Sequence, residues 1–201
     1  MSILVFFQKE NKSIRIFFPF LLLRTALELY GRYLGNLGIH NIWVNNIIGA
    51  LSISFYLFIL SVFISNKKIK QITFFASVIF TAAFLISCLL LLPITEMHIY
   101  ELSIGCLLVI AGCIYFFYEL LSYPNDVKLL AFPHFWIATG VLFNFAGEMP
   151  VYLFLNFIIK QKAVVLNSVF FMIHFLDIML NILLIIAFVC RLKLRRPSLS
   201  F

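Results

Sequence analysis

Charge is what this sequence has least of: Asp, Glu, Lys and Arg make up 11% of its 201 residues, where a soluble domain carries about 25%. With 64% hydrophobic residues and a mean hydropathy of +1.09, the chain has too little polar side chain to cover a water-facing globule. Also missing from the sequence are a CxxC pair, an HxxxH or HExxH pattern, a recognisable nucleophile and base, the alternation of a β-barrel, and any soluble domain. These absences argue against a disulfide framework, a metal enzyme and a haem protein, so no cofactor and no metal are expected. The net charge of +7 does not point to nucleic acid, because the basic residues lie in short clusters between apolar runs and at the C-terminus, with no groove-reading motif. The four cysteines, Cys88, Cys106, Cys113 and Cys190, fall within or at the ends of apolar runs and read as small packing residues.

What is present is a series of long apolar runs. They predict an all-α fold, a polytopic transmembrane helix bundle forming one integral membrane domain over the whole chain. The six spans fall at about 14–34, 42–64, 72–92, 99–121, 133–159 and 164–189, each long enough for a hydrocarbon core of about 30 Å. The N-terminal run Ile3 to Phe7 is too short to span, and its charges follow it where a signal peptide would have them first. It reads as the tail of an earlier helix.

The first span carries Arg24 and Glu28 one turn apart, an opposite-sign pair that partly neutralises itself. The second opens with Trp43, an expected interface anchor, followed by Asn45 and Asn46. Its Ser54 and Ser61 recur at a heptad, as small residues at a helix contact do. The stretch Ser65 to Gln71 reads as a short basic loop, and the third span after it is uncharged. Pro93 ends that span, and Glu96 and His98 mark a loop lacking Lys and Arg. The fourth span bears Glu101, the aromatic run Tyr115 to Tyr118 with Glu119, and a glycine heptad, Gly105 and Gly112, that allows close helix approach. A turn at Pro124-Asn125-Asp126 leads to the fifth span. Pro133 suits its first turn, Trp136 is the second expected anchor, and Pro150 should kink it.

Polar residues gather in the last two spans. Asn144 and Glu148 lie about 40° apart on the fifth, and Asn167, His174, Asp177 and Asn181 share one arc of the sixth. By depth, Arg24, Glu28, His174 and Asp177 fall near mid-membrane, with Glu148 somewhat nearer the outer side. The expected site is therefore a buried polar cluster of Arg24, Glu28, Asn144, Glu148, His174, Asp177 and Asn181. It serves either as a network that fixes helix register or as a ligand-binding or proton-sensitive pocket. A metal ion held by His174 with Glu148, Asp177 or Glu28 is disfavoured, because only one histidine lies at this depth. The triplet Asn11-Lys12-Ser13 matches a glycosylation acceptor on the expected cytoplasmic side, a chance match.

The motifs TALELYGRYLG, HNIWVNN, IYFFYELL and FPHFWIATGVLFNFAG resemble those of a family of small multi-pass inner-membrane proteins of Bacteroidota without an assigned activity. The family pattern falls here on Glu28, on Asn41 and Trp43, on Tyr115 to Tyr118, on Pro133, Phe135, Trp136, Gly140 and Gly147, and on Asn181. The likeness covers the chain from about residue 14 onward. Such proteins carry one more N-terminal helix, which implies a seven-helix form whose first helix is cut down here to Ile3 to Phe7. The family is similar to the membrane sensor halves of histidine kinases, and its members are often encoded beside such kinases. The resemblance implies a signalling input module that holds no catalytic domain and partners a membrane-associated kinase.

The expected function is thus a sensor or accessory module, with a small proton-coupled transporter or carrier using the Glu, His and Asp residues as the alternative. Neither internal repeats nor paired broken helices favour the carrier. With both termini inside, the cytoplasmic segments hold eleven basic residues: Lys9, Lys12, Arg15, Lys67, Lys68, Lys70, Lys128, Arg191, Lys193, Arg195 and Arg196. The outside holds three, Arg32, Lys160 and Lys162. Cysteines introduced singly at Lys68 and Ser198 should therefore resist an impermeant thiol reagent in intact cells, while one at Glu96 reacts above the parent chain's own labelling. Labelling at Lys68 with protection at Glu96 reverses the orientation.

Overall fold

The computed structural model describes residues 16–90, 93–122, 132–159 and 163–194, which form six α-helices and no strand. They are α1 (Phe17–Asn36), α2 (Ile42–Phe63), α3 (Lys67–Leu90), α4 (Ile99–Ser122), α5 (Pro133–Ile159) and α6 (Ala163–Leu194). The segment Ile3 to Phe7, the Asn11 triplet, the Pro124 turn, the side chain of Asn167 and the tail after residue 194 lie outside the described residues.

Helices α2 to α6 each contain a stretch long and apolar enough to cross a membrane. Helix α1, with 20 residues, would extend about 30 Å, but Arg24, Glu28 and Arg32 lower its apolarity. The chain is a helical bundle built for a bilayer. Its outer surface confirms this, with residues such as Leu89, Leu90, Ile79 and Phe171 fully or largely exposed.

Helix α2 is the central post, packed against α1, α3, α4 and α5. Tyr56, Ile53, Leu57, Ile59 and Leu60 on it are each 1% exposed, so nearly its whole circumference is covered. Helix α5 packs between α4 and α6. Helix α1 leans on α2 through an aromatic ladder, with Phe20 stacked on Phe55 at 3.7 Å and Phe17 edge-on to Phe55 at 5.0 Å.

In lipid the exclusion of apolar surface from water does not hold helices together, so close approach must do it. The two glycine pairs supply that approach. A Cβ on Gly105 of α4 would stand 2.6 Å from Ile53 Cδ1 of α2 and 2.6 Å from Phe80 of α3, and Gly112 meets Leu60 of α2 one heptad on. Gly140 and Gly147 of α5 likewise lie against Leu180, Leu183 and Leu176 of α6. Helix α3 is inverted in polarity. Its inward stripe, Thr73, Ser77, Phe80, Phe84 and Ser87, includes hydroxyls, while its outward face is apolar. Ser54 of α2 meets this stripe, bonding Thr81 at 2.8 Å and accepting from Ser77 on its carbonyl at 2.8 Å.

Two boundaries differ from the sequence expectation. The stretch Ser65 to Gln71 is mostly helix: α3 begins at Lys67, because Asn66 Oδ1 accepts the Lys68 N–H at 3.0 Å as an N-cap. The buried Glu119 carboxylate of α4 also accepts the Ser65 and Asn66 N–H groups, each at 2.9 Å. Helix α6 continues to Leu194, five residues past the expected end of the span at 189. Helix α5 starts at Pro133 as expected and runs on through Pro150, which leaves the Ala146 carbonyl without its usual helical donor.

Replacing Gly105 with Ala should lower stability in detergent by about 1 to 3 kcal/mol, because the Phe80 ring has to move. Gly35→Ala, where the nearest atom would be 3.5 Å away, should be neutral or stabilising by about 0.4 to 1 kcal/mol. Equal melting temperatures for the two variants would show that the α2–α4 contact is not tight.

Candidate functional site

Three of the expected polar residues meet directly. Arg24 donates through Nε to Glu28 Oε1 at 3.0 Å on its own helix, and through NH2 to Asp177 Oδ1 across to α6. The Arg24 side chain is 11% exposed and that of Asp177 22% exposed, so this pair lies well inside the bundle. Glu28 is more open, at 39%. An arginine suits this position, since its planar fork can engage two carboxylates at once and it stays charged when buried.

A second layer comes from α5 and α2. Asn144, 2% exposed, donates to Glu148 Oε1 at 2.8 Å one turn away. Glu148 and the phenol of Tyr56 both lie within electrostatic reach of Arg24 and Asp177. Asn144 Oδ1 is buried without a hydrogen-bond partner. Together these groups make a charged chamber bounded by α1, α2, α5 and α6, with three carboxyls around one guanidinium.

His174 and Asn181 do not join it. The buried stripe of α6 is centred on Leu180, Leu184 and Ala187. From Leu180, Asp177 is offset by about 60° and sits at the stripe's edge toward α1, whereas Asn181 lies about 100° and His174 about 120° around. Both are exposed, and Asn181 Nδ2 turns back to the Asp177 carbonyl at 2.8 Å. Of the described residues of the polar arc, only Asp177, at its edge, enters the bundle.

Trp43 and Trp136 lie in the first turns of α2 and α5, each half-buried, Trp43 edge-on to Tyr30 at 5.9 Å and Trp136 to Phe135 at 5.5 Å.

The sequence reading missed two groups. Tyr56 was visible only as a lone hydroxyl in an apolar run, and nothing local says that it faces Arg24. His98, read as a loop residue, is fully buried. Asn46 of α2 does this: its Nδ2 donates to the Ile94 and Glu96 carbonyls at 2.9 and 2.6 Å, and its Oδ1 accepts the His98 N–H at 3.3 Å. The i, i+3 spacing of His98 and Glu101 was the available signal.

Fold and site together define a helical, multi-pass membrane protein with a charge cluster inside its bundle. No protein-family model, curated protein or solved structure matches this chain.

Asp177→Asn should lower detergent stability well short of the roughly 3 to 5 kcal/mol cost of stranding a dry ion, because Arg24 keeps Glu28 one turn away and Asp177 is itself 22% exposed. Adding Arg24→Gln should recover part of that loss, a non-additivity of about 0.5 to 3 kcal/mol in a double-mutant cycle of detergent melting. Strict additivity would mean that the two side chains do not interact.

Proposed function

We propose that this is a bacterial inner-membrane sensor or accessory module, with both termini in the cytoplasm, that passes a membrane or small-molecule signal to a partner such as a histidine kinase and performs no catalysis itself. The supporting observation is how α1 is held. Its backbone packs on α2, and its described links to α6 are the Arg24 to Asp177 ion pair and an edge contact of Phe17 with Phe188 at 6.1 Å. An outer helix tied across the bundle by one charged contact is a natural two-position element, because a ligand or proton that competes for Asp177 or Glu28 releases it. The input is read at the chamber and the output is the position of α1.

A specific observation also keeps the proton-coupled carrier as a second reading: Glu28, Asp177 and Glu148 surround a single Arg24, so the chamber has more acids than fixed cations. Such an excess suits proton uptake.

One pair of assays separates the readings. On the sensor reading, Arg24→Lys, which keeps charge but loses the fork, shifts the basal output of a kinase-dependent reporter several-fold, and the kinase co-purifies with the chain. Reconstituted vesicles then show no proton-driven uptake. Uptake abolished by Glu148→Gln, with an unchanged reporter and no co-purifying kinase, overturns the sensor reading in favour of the carrier.

A further inference from the structure

A second polar constellation lies away from the chamber, where the end of α3 meets the start of α4. Cys88 Sγ is 3.6 Å from His98 Nε2, and His98 Nδ1 is 3.5 Å from Glu101 Oε1. Ser87 Oγ donates to the same Glu101 oxygen and lies 3.4 Å from Nδ1. The imidazole therefore stands between a thiol and a carboxylate, one on each ring nitrogen. That order, nucleophile, base and orienting acid, is the arrangement that activates weak nucleophiles.

The ring is held firmly. His98 is 0% exposed, its N–H is held by Asn46, and its face lies 5.1 Å from the Phe84 ring. Because Ser87 Oγ gives its proton to Glu101, it accepts from His98 Nδ1–H at 3.4 Å, and that tautomer leaves Nε2 as an acceptor for the Cys88 S–H. Activation here means proton transfer from the Cys88 S–H to His98 at the moment of attack.

Unlike Cys106 and Cys113, which are buried, Cys88 is partly exposed. Leu85, about 60° around α3 from Cys88, is 56% exposed, so the approach to the sulfur runs over an apolar, lipid-type surface. That surface selects a reactant that dissolves in hydrocarbon.

We infer that Cys88, served by His98 and Glu101, is a modification site for apolar α,β-unsaturated carbonyl compounds reaching it through the membrane. In the reaction the sulfur forms a bond to the β-carbon as the carbon–carbon π bond breaks. The thiol proton passes to His98 Nε2 and then to the α-carbon, giving a thioether with no leaving group and no change of redox partner. His98 is the base, and Glu101 is a positioning residue. The site is independent of the Arg24 chamber.

The test follows alkylation of the intact protein in lipid nanodiscs by site-resolved mass spectrometry, with an apolar N-alkyl maleimide and a sulfonated maleimide as probes. The apolar probe should modify Cys88 at least about tenfold faster than the similarly part-exposed Cys190, and faster than the sulfonated probe does. An unassisted thiol gains about tenfold in rate per pH unit through its thiolate fraction. Cys88 should instead show a shallow profile between pH 6.5 and 7.5, and His98→Gln should restore the steep one. Glu101→Gln should slow Cys88 several-fold. If His98→Gln fails to fold, the wild-type profile decides: a tenfold slope per pH unit at Cys88 overturns the assignment. Equal rates at Cys88 and Cys190 overturn it too, and a faster sulfonated probe overturns the membrane route.

Discussion

A guanidinium inside a membrane bundle is the constraint around which this protein is arranged. An arginine at the centre of a spanning helix costs about 2.5 to 3.5 kcal/mol on insertion scales. In α1, which is less apolar than the other five helices, Arg24 sits between an acid one turn away, Glu28, and another on α6, Asp177. The arrangement reaches past the pair. The packing of α6 on α5 leaves Asp177 at the edge of the α6 buried stripe, toward α1, and Tyr56 and Glu148 complete the chamber from α2 and α5.

The rest of the bundle is held by shape. Two glycine heptads, one on α4 and one on α5, let leucine and isoleucine side chains of α2 and α6 approach the backbone, and hydroxyls of α3 bond into α2. These contacts join α2 to α3 and α4, and α5 to α6, while α4 also packs extensively on α5, so α2 to α6 form one continuous body. Helix α1 has no comparable glycine seam with α6 and relies on aromatic packing against α2 and on its charge. That contrast in how the helices are joined is what makes α1 the natural moving part in the sensor proposal.

Much of the fold was legible because a bilayer restricts the choices. Apolar runs bounded by Gly31 to Gly38, by the lysines at 67 to 70, by Pro93 and by Pro133 mark helices with little ambiguity. The start of α3 was misplaced because the cap that extends it depends partly on Glu119, 53 residues away from Asn66. In the site, charge and depth placed Arg24, Glu28, His174 and Asp177 at one level, but they did not choose between Arg24 and His174 as the partner of Asp177. The failure at His174 has a simple cause: residues on one arc need not all face inward, and which edge is buried is set by Leu176, Leu180 and Leu183 meeting the α5 glycines. His98 was hidden for a related reason, since its burial depends on Asn46, which pins the loop from another helix.

The central claim is that the Arg24 to Asp177 contact sets the position of α1 relative to α6. The most direct measurement is the spin-label distance distribution between the exposed positions Leu29 on α1 and Ile178 on α6, in lipid bilayers, for the parent chain and for Asp177→Asn. A single narrow distribution in the parent that broadens or shifts in the variant is the predicted result. An unchanged narrow distribution in the variant would contradict the account, because α1 would then be held by its packing on α2 alone.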